Sequence, residues 1–385
     1  MMEIPYGKHY VDEEDVNKVI DVLKGEMLTQ GPIVPDFEAN CAEYVGAKYG
    51  VAVCNATAGL HLACMALDVG PDDCVWTSAI TFVASANCAR YCGASVDFVD
   101  INHASVNIAP NALRKKLEVA EAEGNLPKLL VVVHMAGLSA DMQEINLLSK
   151  EYGFRVLEDA SHAFGASYRG NAVGNCEYSD IAVFSFHPVK MITTAEGGII
   201  TTNDPKLADR VAMLRSHGIV RGQEMPDPVD GDWHYQQTHL GFNYRMPDLL
   251  AALGNSQLKK INNILETRKT IARRYDQLLA DMPLLRPNIA DVSECSWHLY
   301  IVRLEKQEHI ERHSQIYRDL HDAGIKVGLH YTPVYRHPYH RGRNDRRQDF
   351  PVAERYYKSA LSLPIFYELS ETKQELVVDV LRKVL

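Results

Sequence analysis

"KLLVVVHMAGLSADMQEINLLSKEYGFRVLEDASHAFG", residues 128–165, holds two short apolar runs with a stretch of different period between them. Leu129 to Val133 is an unbroken aliphatic run, the composition of a strand buried on both faces. From Met142 to Tyr152 apolar residues recur three and four positions apart, the period of a helix with one covered face. Phe154 to Leu157 returns to strand character and ends in Glu158 and Asp159. A strand, a helix and a strand in that order predict parallel pairing with the helix crossing one face of the sheet.

The same rhythm extends in both directions. Upstream, "YGVAVCN", "DCVWTS" and "SVDFVDI" read as strands; downstream, "DIAVFSFH" and "GGIITTND" do. "AGLHLACMAL", "FVASANCARYC" and "NALRKKLEVAEAE" carry the helical period between them. Residues 50 to 217 are therefore expected to form an α/β layered domain around a largely parallel sheet. From 220 to 238 the period is lost in a Pro-, Gly- and Asp-rich segment that reads as an exposed loop. The pattern from Met246 to Met282 reads as one long helix, followed by a strand in "SWHLYIVRL" and helices near 308–323 and 371–384. This predicts a large domain over 1–250 and a smaller C-terminal α+β domain over 251–385. The basic run "HRGRNDRRQDF", 340–350, reads as a mobile loop.

Composition narrows the function. A chain of 385 residues that is 46% hydrophobic buries a large core and divides into two packed parts. Forty Lys and Arg against fifty Asp and Glu give a net charge of -10, which argues against a broad nucleic-acid footprint. Any anionic ligand must then be held by local groups. "MMEIPYGKHYVDEEDV" lacks a basic region followed by an apolar run, and no stretch reaches the apolar length of a membrane span, so a cytoplasmic protein with no membrane partner is expected. The eight cysteines include no C-x-x-C pair; Cys88 and Cys92 stand four apart without a zinc set, so no metal is assigned and the thiols read as reduced, small hydrophobes.

In such sheets ligands bind beyond the carboxyl ends of the strands. Polar residues that directly follow an apolar run become candidates: Asn55, Ala56 and Thr57, then Asp159, then Ser185. A carboxylate at the end of a buried strand is costly unless something cationic or protonated faces it. His162 and a run of small residues follow Asp159, leaving room for a flat ligand. One strand and a loop later, "FSFHPVKMITTAEGG" (184–198) places Lys190 between a proline and a Thr-Thr-Ala-Glu-Gly-Gly run. Alone, this lysine reads as a snorkelling surface charge. Paired with Asp159, it supplies the two groups that pyridoxal phosphate chemistry requires: a carboxylate for the pyridinium nitrogen and an amine for a Schiff base. "CNATAGLHLA" breaks a strand with small residues and opens a helix at Thr57, Ala58 and Gly59, a setting for a phosphate, to which Ser185 can add a hydroxyl. Each position also has a plain structural reading: Asp159, Asn55 and Thr57 as helix caps, and Ser185 bonded to its own neighbours.

The blocks "LTQGPIVPDFE", "NATAGLHLA", "TFVASANCA", "EDASHAFGASY", "FSFHPVKMITTAEGG", "GFNYRMPDLLAALG" and "GLHYTPVY" occur in this order. They resemble the DegT/DnrJ/EryC1/StrS sugar aminotransferases over nearly the whole chain. The resemblance implies the type I fold of pyridoxal phosphate-dependent transferases. It makes Lys190 the lysine bonded to the cofactor and Asp159 the partner of its ring nitrogen. Phe82 would stack on the ring; Ala56, Thr57 and Ser185 would hold the phosphate. Asn243 would reach that phosphate from a second subunit, which implies a homodimer with shared sites. His162 would lie near the ring and His187 near Lys190 as a catalytic neighbour, although either serves equally as a buried, satisfied histidine. His330 and Tyr331 would contact the sugar or nucleotide.

Within the family, "FSFHPVKMITTAEGG", "SWHLYIVRL" and "GLHYTPVYRHPYH" are most similar to the branch that serves pseudaminic acid synthesis. That branch implies transfer from L-glutamate to C4 of a UDP-linked 4-keto-6-deoxy-N-acetylhexosamine, with a GDP- or dTDP-linked keto sugar left open. Two positions depart from the family pattern: Asn55 stands where Ser or Thr is usual, and Asp248 where Glu is. A regulator without turnover would need an appended DNA-binding module, and no basic recognition helix stands at either end.

Overall fold

The computed structural model describes residues 3–385 except 223–224, 229, 290–291 and 342–344. The unit over 128–165 forms as expected: β4 (Leu129–Val133) and β5 (Arg155–Asp159) pair in parallel, with Val133 opposite Asp159. Five further strands complete the central sheet: β1 (Tyr49–Val53), β2 (Cys74–Ser78), β3 (Ser95–Val99), β8 (Ile181–Ser185) and β9 (Gly198–Thr202). The two-residue strands β6 (Ser167–Tyr168) and β7 (Asn171–Ala172) lie between β5 and β8 in the chain and outside this sheet. The order across the sheet is β1-β9-β8-β5-β4-β2-β3. All neighbours pair in parallel except β9, which runs antiparallel to both β1 and β8.

Alternate residues of each strand enter different cores, as the two-residue period of a strand requires. Val75, Leu129, Val131 and Leu157 pack with Leu60, Cys64, Cys88 and Val211. These come from α3 (Ala56–Ala66), α4 (Ala84–Tyr91) and α7 (Pro205–Arg215). On the opposite face Trp76, Leu130, Val132 and Val156 pack with Leu113 and Leu117 of α5 (Pro110–Glu123) and with Ile145 and Leu148 of α6 (Met142–Tyr152). Further along that face Ala52, Phe184 and Ile199 meet Phe37 and Cys41 of α2 (Ile33–Val45) and Ala251 of α8 (Asp248–Leu258). Helices thus cover both faces, and β4, wholly aliphatic, is buried at every residue.

The long helix expected from Met246 to Met282 is two helices, α8 and α9 (Ile261–Leu278). The chain turns at Lys259 and Lys260, and the Lys260 amine is held against α1 (Glu13–Leu23) and its cap, by Asp15 at 3.0 Å and by Asp12. The apolar period runs on across the break because each half covers a different core. Ala251 faces the sheet, while Ile271 and Tyr275 enter a second core. That core is built on an antiparallel sheet of Leu284–Leu285, Tyr300–Leu304 and Ala360–Leu363, and it also takes in Ile4 from the N-terminus.

Asp248, the departure from the family pattern, is fully buried and accepts from the Gly31 N–H at 2.5 Å and the Val34 N–H at 2.9 Å, capping the start of α2. The described residues of the 220–238 segment are largely exposed, with its ends joined by pairing of Ile219–Val220 with Gln236–Gln237. Of the run 340–350, expected as a mobile loop, residues 342–344 lie outside the described residues and 345 and 347–349 are exposed, but two residues are anchored. Arg346 bonds Asp97 of β3 at 2.6 Å, and Phe350 is buried with its ring 4.5 Å from Tyr335. One of the charges that suggested solvation, Arg346, is thus paired with a carboxylate of the sheet.

Candidate active site

The carboxyl ends of β1, β4, β5 and β8 open on a cavity of about 760 Å³, at the edge where an open α/β sheet holds its ligands. Every predicted site residue except Asn243 lines it: Ala56, Thr57, Phe82, Asp159, His162, Ser185, His187, Lys190, His330 and Tyr331. Asn243 is exposed away from the wall of its own chain's cavity, its backbone bridged to Ser216.

One end of the cavity is built for an anion. Helix α3 starts at Ala56, and the Asn55 side chain is already used, accepting from the Ala58 N–H at 2.8 Å. The Ala56 and Thr57 amides are first in the helix and have no earlier carbonyl to bond, so they carry the positive end of the helix dipole toward the cavity. Ser185 closes this end from β8. Gly198 makes the approach possible. It pairs with Val53 and Ser185, and a β-carbon there would lie 2.8 Å from the Ala56 nitrogen and 2.7 Å from the Phe184 oxygen.

Asp159 sits on the wall and is held by two serines. Its Oδ2 accepts from Ser85 Oγ at 2.6 Å, and its Oδ1 from Ser161 Oγ at 2.6 Å and Ser161 N–H at 3.2 Å. No helix starts after Asp159, so the capping alternative falls away. Nearby, His162 Nδ1 accepts from the Ala136 N–H at 3.3 Å, so its proton stands on Nε2, 3.0 Å from the Tyr331 hydroxyl. Burial pushes His162 well below the usual histidine range, and Lys190 and His330 push the same way. The Tyr331 oxygen therefore accepts from neutral His162, leaving the phenol proton free for a ligand.

Lys190 is half-buried in the loop after β8, its N–H donating to the His187 carbonyl at 2.9 Å. Burial lowers its amine to about 8, with Asp159 opposing the shift. His330, bonded through Nδ1 to Ser362 Oγ at 2.8 Å, is pushed down to about 4 by burial and by Lys190. Phe82 is 54% exposed at the mouth, its ring 5.8 Å from that of Tyr331. His187 is exposed on the wall; the imidazole 3.4 Å from Lys190 Nζ belongs to His298. Sequence reasoning missed His298, Ser85 and Ser161. Ser85 and Ser161 stood inside quoted blocks, "TFVASANCA" and "EDASHAFGASY", while His298 was absorbed into a strand signal.

The sequence profile of the DegT/DnrJ/EryC1/StrS aminotransferase family matches residues 9–382. The chain belongs to that family. Over 383 residues this aminotransferase is 36% identical to the UDP-4-amino-4,6-dideoxy-N-acetyl-beta-L-altrosamine transaminase of Campylobacter jejuni, covering 99% of this chain and 97% of the relative. It is similar in structure to Helicobacter pylori PseC, an aminotransferase involved in the biosynthesis of pseudoaminic acid, with a TM-score of 0.88, 30% identity and 99% coverage of both chains. The pyridoxal phosphate form of the sugar aminotransferase Spr1654 from Streptococcus pneumoniae matches at a TM-score of 0.88 and 27% identity over 100% of both chains. The fold is that of the pyridoxal phosphate-dependent sugar aminotransferases, and the protein is a pyridoxal phosphate-dependent nucleotide-sugar aminotransferase.

The donor set fits that cofactor. A half-buried lysine whose amine is brought to about 8, a carboxylate oriented by two hydroxyls and a helix N-terminus with unbonded first amides surround one cavity. Among the described residues no cluster of His, Cys, Asp and Glu is arranged to hold a metal, and no helix is long and apolar enough to cross a membrane.

Proposed function

We propose that this aminotransferase moves the amino group of L-glutamate to C4 of UDP-2-acetamido-2,6-dideoxy-beta-L-arabino-hex-4-ulose, giving UDP-4-amino-4,6-dideoxy-N-acetyl-beta-L-altrosamine. The observation that carries this reading is the 36% identity, across essentially the full chain, to a transaminase named for that product. The cavity of about 760 Å³ supports it, being large enough to admit a sugar beside a cofactor.

Pyridoxal phosphate, when bound, supplies the aldehyde carbon that carries the amino group between donor and acceptor, and a ring that takes up an electron pair. The amides of Ala56 and Thr57, with the hydroxyls of Thr57 and Ser185, bind its phosphate. Asp159, oriented by Ser85 and Ser161, would pair with the ring nitrogen and favour its protonated form. Lys190 anchors the cofactor. Its Nζ then takes the proton from the donor's Cα and delivers one to C4 of the sugar, a task suited to an amine lowered to about 8. Phe82, at the mouth, would pack against the ring. Tyr331, its oxygen occupied by His162, offers its proton to the sugar beside neutral His330. Asn243, exposed and outside its own cavity, serves the phosphate end of a second copy's site in a homodimer.

The test is to incubate the purified protein with glutamate and a panel of UDP-, GDP- and dTDP-linked keto sugars, and to detect the amino sugar by mass. Product from the UDP-linked N-acetylated ketose is expected; none from it, with product from another nucleotide sugar, overturns the substrate reading. Lys190→Ala is expected to keep the fold and lose turnover.

A further inference from the structure

His298 is 4% exposed, and its Nε2 stands 3.4 Å from Lys190 Nζ while its Nδ1 is buried with no hydrogen-bond partner. Its position is enforced from behind. Trp297 takes a φ of 56°, a left-handed conformation uncommon for a bulky residue, and one that turns the following side chain. Arg268 of α9, itself buried without a carboxylate partner among its hydrogen bonds, donates from Nη1 to the carbonyls of Trp297 at 3.0 Å and His298 at 3.4 Å. The His298 ring lies 4.4 Å from that of His162, centroid to centroid. Strain and a buried arginine both maintain an imidazole whose only side-chain hydrogen bond is to the lysine.

The groups that face this imidazole decide its protonation. Lys190 from the loop after β8, His162 from beyond β5, Arg268 from α9 and His330 from the C-terminal part all disfavour a charge on it, and burial acts in the same direction. The ring is therefore neutral. Below about pH 8 Lys190 is an ammonium and can only donate, so Nε2 accepts and the ring proton is on Nδ1. Once neutral, the amine keeps this bond through one N–H, and its lone pair is left for the cavity.

We propose that His298 is a positioning residue that docks the Lys190 amine whenever that amine is not bonded to the cofactor. It rests on the reading of Lys190 as the cofactor's lysine. As an acceptor His298 favours the ammonium, so removing it lowers the apparent pKa of Lys190; a merely space-filling residue would leave it unmoved.

The experiment measures the rate at which the cofactor-free full chain captures pyridoxal phosphate, followed by absorbance from pH 6 to 10. The wild type is expected to show an inflection near 8. His298→Phe, which cannot accept, is expected to shift it down by about one unit, the effect of losing one charge-assisted hydrogen bond. His298→Gln, which can accept, is expected to restore it. An unmoved or raised inflection in His298→Phe overturns the proposal. Nitrogen-15 shifts of His298 in the wild type give a second measurement that needs no variant to fold: a neutral ring protonated on Nδ1 is expected, and an Nε2–H tautomer or an imidazolium overturns the proposal. If the wild type captures cofactor no better than Lys190→Ala, the functional reading fails and this inference with it; capture with an unmoved inflection sinks only the role of His298.

Discussion

Gly198→Ala tests whether the approach of β9 to the start of α3 sets cofactor affinity. The new β-carbon would lie 2.7 Å from the Phe184 oxygen and 2.8 Å from the Ala56 nitrogen, where ordinary contacts begin at 3.4 Å. Both obstacles are backbone, so no side-chain rotation relieves the clash, and main-chain displacements of about 0.6–0.7 Å are needed. Overpacking of this kind costs about 1–3 kcal/mol. Strand β9 is hydrogen-bonded on both sides, to β1 and β8, so the contact with the Phe184 oxygen of β8 strains the sheet, whereas the first amides of α3 have no helical partner, so on the Ala56 side the helix end is the part that yields. The cost should therefore fall on phosphate binding, as a rise in the pyridoxal phosphate Kd of about 5- to 150-fold. The assay is an absorbance or fluorescence titration of cofactor-free protein, with a thermal melt alongside. Gly70→Ala is the control, since its β-carbon would meet only Asp73 Oδ2 at 3.9 Å. A Gly198→Ala protein that binds the cofactor within twofold of wild type would refute the reasoning.

Three further outcomes follow from the geometry. Asp248→Ala strips the Gly31 and Val34 amides of their acceptor in a buried setting, so denaturant unfolding should register a loss of about 3 kcal/mol; a loss under about 1 kcal/mol contradicts the cap. Tyr331→Phe leaves the His162 Nε2–H without its acceptor and the sugar without a donor; kcat/KM for the keto sugar should fall by about 10- to 100-fold with cofactor affinity little changed, and a loss below twofold removes Tyr331 from the site. Because the Lys190 amine is lowered to about 8 and only its neutral form attacks an aldehyde, capture of cofactor by the free chain should slow about tenfold from pH 7 to pH 6 and level off above about pH 9. A flat profile between pH 6 and pH 7 would show that the amine is already neutral there.

Much of the fold was legible because burial in a layered sheet leaves a period in the sequence. Leu129–Val133, the helical stretch from Met142 to Tyr152 and the run ending at Asp159 became strand, helix and strand in parallel register. Their ends located most of the site, since Asp159 and Ser185 close strands and Ala56 opens a helix. Periodicity failed where two apolar stripes joined without a gap. At the break, Lys260 is held by Asp12 and Asp15 at the start of a distant helix, and no local pattern records it. The run containing Arg346 looked solvated because its partner, Asp97, lies on a strand far away in sequence.

By itself, then, the sequence determined the layered α/β class and, through its ordered family blocks, the aminotransferase class, because residue types and their spacing along strands and helices are local properties. Tertiary structure alone decided that Asn55 is used as a cap, that Ser85 and Ser161 orient Asp159, and that His298 rather than His187 stands beside the Lys190 amine. Those relations join residues from different elements, and they exist only after strand order and the packing of the C-terminal part against the sheet have brought the elements together.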